Sequence, residues 1–120
     1  MESEEMRSIA VTALEDLKAQ DIQVLDVHRL TDIADFMIIA TGTSSRHVKA
    51  MADKTIDAMK EHGHRPLGTE GEQEGEWVLV DFGDLIVHVM LPTTRSFYDL
   101  EKLWGQDLVS MVEAQRQDSE

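Results

Sequence analysis

The sequence predicts a single two-layer α/β domain, a mixed sheet of about four or five strands with helices packed on it. Three observations carry that prediction. Helical and strand-like apolar patterns alternate in the order α-β-β-α-β-β-α. The run Asp35–Thr41 (DFMIIAT) is continuously apolar from Phe36 to Ala40, as in a strand covered on both faces. Finally, Gly83-Asp84 separates two β-rich runs by two residues, with glycine at the first turn position of a hairpin. With 120 residues, 42% of them hydrophobic, the chain has material for one core.

Each element has its own signal. Met6, Ile9, Ala10, Ala13, Leu14 and Leu17 recur at three- and four-residue spacing and define a first helix over about 4–19, with Ser3 as its cap and Glu4 and Glu5 in the first turn. Ile22–His28 reads as a strand and Asp35–Thr41 as a second. Gly42 breaks that run, and Ser44 or Ser45 caps a second helix whose buried stripe is Val48, Met51, Ala52, Thr55, Ile56 and Met59, with Gly63 at its end. The polar, Gly-rich stretch 65–76 reads as a loop. Trp77–Phe82 and Leu85–Leu91 are the hairpin strands, and the two-residue turn sets Phe82 opposite Leu85, Val80 opposite Val87 and Val78 opposite Val89. That side is wholly apolar. The other side carries Trp77 with Met90, Leu79 with His88, and Asp81 with Ile86. Pro92 ends the last strand. A third helix is expected from Thr94 or Ser96, with Phe97, Leu100 and Trp104 on one stripe. The domain is expected to span 1–105, and 106–120 to form a variable tail with a short helix and a polar end.

Composition narrows the function. There is no cysteine, which removes disulfides, thiolate metal sites and thiol catalysis. The N-terminal MESEEMRS lacks the pattern of a signal peptide, and the apolar runs reach only five residues where a membrane span needs about 20. A cytoplasmic protein without membrane contact is expected. The net charge of −13, from 24 acids against 11 Lys and Arg, opposes nucleic-acid phosphates and favours a basic protein partner. No sequence-specific nucleic-acid binding is expected.

The strongest enzyme-like feature is the turn Thr41-Gly42-Thr43-Ser44-Ser45 between a strand and a helix, where free N–H groups hold phosphate in other folds. The spacing of a Walker motif is absent, as is a GxGxxG fingerprint. A nucleotidyl-transfer site also needs a D-x-D pair to bridge two metal ions. Asp53 and Asp57 lie four apart on a helix, and Asp81 and Asp84 straddle a turn. Nucleotide binding at Gly42–Ser45 remains the alternative function. Of the histidines, only His62 and His64 are close, without a third ligand at metal spacing. No catalytic residue, cofactor or metal is expected.

Binding features are stronger. Both tryptophans and the single tyrosine lie within 77–104, and no Lys or Arg occurs between Pro66 and Leu91, where Glu70, Glu72, Glu74, Glu76, Asp81 and Asp84 gather. Aromatic anchors beside uncompensated acids suit docking to a basic protein. Completion of the core and self-association as a homodimer are the competing uses of the same aromatics.

The blocks QDIQVLDV (20–27), DIADFMIIATGTSSRHVKAMAD (32–53), PLGTEGE (66–72), WVLVDFGDLIVHVM (77–90) and RSFYDLEKLWG (95–105) together resemble the ribosomal silencing factor family, also called Iojap-like proteins, over about residues 5–104. Phe36 stands where a tyrosine is frequent. The resemblance implies a nucleotidyltransferase-like fold without the catalytic acids. It further implies binding to protein fourteen of the large ribosomal subunit, blocking the small subunit sterically and repressing translation under nutrient limitation. Carried over position by position, the implied docking residues are Trp77, Asp81, Asp84, His88, Arg95, Tyr98, Leu100, Glu101 and Trp104. Trp77 and Tyr98 are the expected anchors. Arg95 is the odd base among them, with pairing to an acid inside the fold as its other use.

Overall fold

A computed structural model describes residues 2–29 and 32–98, together with 113, 114 and 116. The elements run α1 (Glu2–Asp16), β1 (Gln20–Asp26), β2 (Phe36–Thr41), α2 (Ser45–Glu61), β3 (Gly68–Glu70), β4 (Trp77–Asp81), β5 (Leu85–Met90) and α3 (Pro92–Tyr98). The five strands form one sheet in the order β1-β2-β5-β4-β3. β2 and β5 run parallel and the other neighbours antiparallel, so the sheet is mixed as expected. Every residue of β2 and of β5 is buried, which is what central strands covered on both faces require.

The hairpin register is set by its turn. Val78 pairs with Val89, Val80 with Val87 and Asp81 with Ile86, and Phe82 N donates to Leu85 O at 2.9 Å. Gly83 adopts φ 92°, a conformation glycine takes without steric cost. On one sheet face Phe36, Ile38, Ala40, Val78, Val80, Phe82, Leu85, Val87 and Val89 pack against Met6, Ala10 and Leu14 of α1 and Val48, Met51, Ala52 and Met59 of α2.

The opposite face is a second core. Leu25, Val27, Ala34, Met37, Ile39, Leu79, Ile86 and Met90 are all buried there, with Ile33 and Trp77 packed against them. The period-two pattern of β4 and β5 places Asp81 and His88 on this face, and each has no exposed surface.

Element ends differ from the sequence pattern for local reasons. Helix α1 stops at Asp16 because Lys18 takes φ 61° while Lys18 N donates to Glu15 O and Ala19 N to Leu14 O, a left-handed C-terminal cap. Ser3 is buried inside the first turn of α1 instead of capping it, and its hydroxyl has no hydrogen-bond partner among the described residues. β1 starts at Gln20, with a bulge between Gln20 and Gln23 and Asp21 at φ 48°, and ends at Asp26, whose carboxylate accepts from the backbone N–H of His28. The stretch read as a loop contains β3, a three-residue strand on the edge of the sheet, Gly68 pairing with Asp81, Thr69 with Val80 and Glu70 with Leu79. α3 begins at Pro92, earlier than Thr94, because proline's fixed φ and missing N–H suit the first helical position. The stripe residues Leu100 and Trp104, and the boundary placed at 105, lie outside the described residues.

Candidate functional site

Of the residues expected to dock, Trp77, Asp81, Asp84 and His88 fall on the β4–β5 hairpin and Arg95 and Tyr98 on α3. Trp77 opens β4 and is partly exposed. Its indole Nε1 donates to His88 Nδ1 at 3.0 Å, and the two rings stand 5.9 Å apart between centroids at 52°. The neighbouring register pair Leu79–His88 puts the histidine diagonally beside Trp77, within reach of this bond. Accepting at Nδ1 leaves the His88 proton on Nε2, which is buried with no hydrogen-bond partner among the described residues. Burial pushes the His88 pKa down from 6.5 to about 4. A histidine so placed is neutral at physiological pH and positions the tryptophan.

Asp81 and Asp84 flank the turn but have opposite environments. Asp84 is exposed, while its backbone carbonyl accepts from Asp35 N at 2.8 Å and Phe36 N at 3.1 Å, tying the hairpin to the start of β2. Asp81 has no exposed surface. Its Oδ1 accepts from Gly83 N at 2.8 Å, and its carboxylate accepts from Arg116 in a two-pronged pair, Nε to Oδ2 at 2.5 Å and Nη2 to Oδ1 at 2.9 Å. Arg116 escaped the sequence reading. A single base in a polar tail carries no local signal, and its partner lies 35 positions away.

Arg95 is also buried. Its Nη1 donates to the Asp21 carbonyl at 2.7 Å and to Thr41 Oγ1 at 2.8 Å. It therefore clamps α3 to the irregular start of β1 and the end of β2, gripping a backbone carbonyl and a hydroxyl through these two bonds. Tyr98 closes α3, and Leu100, Glu101 and Trp104 lie outside the described residues. The structure thus puts Trp77 and His88 toward the open end of one hairpin and Asp81 and Asp84 at its turn, while Arg95 reaches from α3 to β1 and β2. The exposed acids Glu70, Glu72, Glu74 and Glu76 precede that hairpin on the same strand-edge segment.

The turn at Gly42–Ser45 is built for packing. Gly42 N donates to Met90 O, Thr43 N to His47 Nδ1, His47 N to the Ser44 hydroxyl and Val48 N to Ser44 O. His47 Nε2 in turn donates to Leu17 O at 2.6 Å, binding the turn to the end of α1. The N–H groups of Gly42, Thr43, His47 and Val48 are thus committed to acceptors within the protein. A Cβ on Gly42 would stand 2.9 Å from Val48 Cγ2, so glycine is required where the strand end meets α2. Among the described residues, no three His, Asp or Glu side chains gather to hold a metal ion, and no helix is long and apolar enough to cross a membrane.

Fold and site together define a single α/β domain whose charged, aromatic hairpin is suited to contact with a macromolecule. The chain belongs to the family described as ribosomal silencing factor during starvation, whose model matches residues 1–120. The ribosomal silencing factor of Chromobacterium violaceum is 51% identical over 105 residues, covering 88% of this chain and 86% of that one. A crystal structure of a protein from the same organism matches with a TM-score of 0.84 at 51% identity, covering 88% of each chain. A mouse protein named for mitochondrial assembly of the ribosomal large subunit is 38% identical over 97 residues, covering 78% of this chain and 42% of its own length.

Proposed function

We propose that this chain represses translation by binding the large ribosomal subunit through its protein fourteen and sterically blocking association with the small subunit when nutrients are limited. The observation that carries this reading is the hairpin face itself. A partly exposed Trp77 is held in place by a neutral His88 at the open end of the hairpin, the exposed Asp84 stands at its turn, and no Lys or Arg occurs between Pro66 and Leu91. A basic protein surface is the complementary partner. The acids steer it, and the aromatic supplies desolvated contact area. Membership of the silencing-factor family, and the large-subunit name of the mouse relative, support the same partner.

The test is retention on purified large subunits in a sucrose gradient. Trp77→Ala is expected to weaken retention at least about tenfold, in the range of an interface anchor. Because that change also strands His88, Asp84→Lys provides a second variant, reversing an exposed charge without touching the backbone carbonyl that ties the hairpin to β2. A variant pair that folds and is retained as fully as the unaltered chain contradicts the docking face. Sedimentation of the isolated chain separates docking from self-association through the same face.

A further inference from the structure

Asp81 is a buried acid held by a cation from elsewhere in the chain. Its carboxylate is wholly buried, and Gly83 N is its single backbone donor among the described contacts. A carboxylate taken out of water without a countercharge is strongly disfavoured. Arg116 supplies the charge, and supplies it in a form that matches the site. Nε and Nη2 grip both carboxylate oxygens, Nη2 also donates to Gly83 O at 3.1 Å, and Nη1 reaches Ile33 O at 3.5 Å. Four acceptors, from the β4–β5 turn and the segment leading into β2, converge on one planar group. A lysine ammonium cannot fill such a fork. The hydrogen bond to Asp81 holds the Arg116 guanidinium above its ordinary pKa, and the nearby Asp84 and Glu113 charges add to the attraction.

The walls of this socket belong to the sheet, but its occupant belongs to the C-terminal segment. Asp81 is fixed by its pairing with Gly68 and Ile86, and Gly83 by the hairpin turn. Arg116 keeps 31% of its side chain exposed, so the socket opens toward solvent on the side from which the arginine enters. The residue covered in this way is one of the acids on the proposed docking hairpin.

We propose that the Asp81 socket is a guanidinium-binding site with two alternative occupants, Arg116 in the free chain and an arginine of the basic docking partner in the complex. This rests on the docking reading above. A tethered arginine competes at high effective concentration. It lowers the apparent affinity for the partner by the fraction of time the socket is open. A latch closed nine-tenths of the time costs about tenfold.

Two measurements on full-length protein test it. In the first, Arg116→Ala is melted in about 20 mM methylguanidinium chloride and in sodium chloride of equal ionic strength, since a ligand of the native state raises Tm. Methylguanidinium is expected to raise Tm in this variant, and to do so neither in the unaltered chain nor in Arg116→Ala combined with Asp81→Asn. Equal melting in the two salts overturns the socket. In the second, Arg116→Ala is expected to be retained on large subunits about tenfold more tightly than the unaltered chain. Unchanged or weaker retention overturns the exchange. If the unaltered chain is itself not retained, the docking reading falls, and the methylguanidinium measurement decides the socket alone.

Discussion

His88 illustrates how one side chain couples stability, solvent and function. The unfolded chain protonates it at its ordinary pKa of 6.5, whereas the folded chain resists protonation down to about 4. The unfolded state therefore binds the proton first, and stability falls as pH drops from 6.5 toward 4, by about 3 kcal/mol in full. His88→Gln, whose amide oxygen still accepts from Trp77, is expected to flatten this part of the pH dependence. Urea unfolding of both proteins between pH 7 and pH 4.5 checks it, and parallel curves would contradict the assignment. Arg95 gives a second test. Its two bonds from a buried charged donor predict that Arg95→Leu lowers stability by about 2–4 kcal/mol. Equilibrium unfolding measures the loss, and a change within error would mean that the clamp carries nothing. The environment of His88 was legible in part, since a histidine opposite Leu79 beside a strand covered on both faces is expected to pack, but its bond to Trp77 was not. Nothing near Arg95 announces a backbone carbonyl 74 positions away.

At the scale of elements, legibility tracked the strength of local chemistry. The hairpin register could be read in advance because Gly83-Asp84 admits few turn geometries and β4 and β5 alternate cleanly around it. The buried stripe of α2 was visible in its spacing, and Ser44 proved to be its cap by accepting from His47 N. β3 was missed because three residues, two of them partly exposed, carry no periodicity, and pairing with β4 creates the strand. The Gly42 turn looked like a phosphate cradle because small residues serve packing and anion binding equally well. Here they serve packing. Gly42→Ala, which forces a Cβ against Val48, is expected to destabilise by about 1–3 kcal/mol, an overpacking cost. Saturating nucleotide with Mg²⁺ is expected to leave the melting temperature of the unaltered chain where it was. A clear rise would restore the nucleotide reading.

Across the whole molecule, the net charge of −13 and the hairpin face act over different ranges. The surplus acids set up a field that attracts a basic partner from beyond contact distance, and salt screens it over about 10 Å at 0.1 M. On the proposed docking reading, raising ionic strength is expected to slow association with large subunits while leaving dissociation nearly unchanged, because that reading assigns the lifetime of the complex to desolvated contacts around Trp77. Stopped-flow association at two salt concentrations checks this, and a salt-independent association rate would assign the charge to solubility alone. The most direct test of the account is a subunit-joining assay in a sucrose gradient, with purified chain added to large subunits before small ones. The chain is expected to sediment with large subunits and keep the small subunits apart, and Asp84→Lys to weaken both effects together. Subunits that join at their normal level, with the chain left at the top of the gradient, would contradict it.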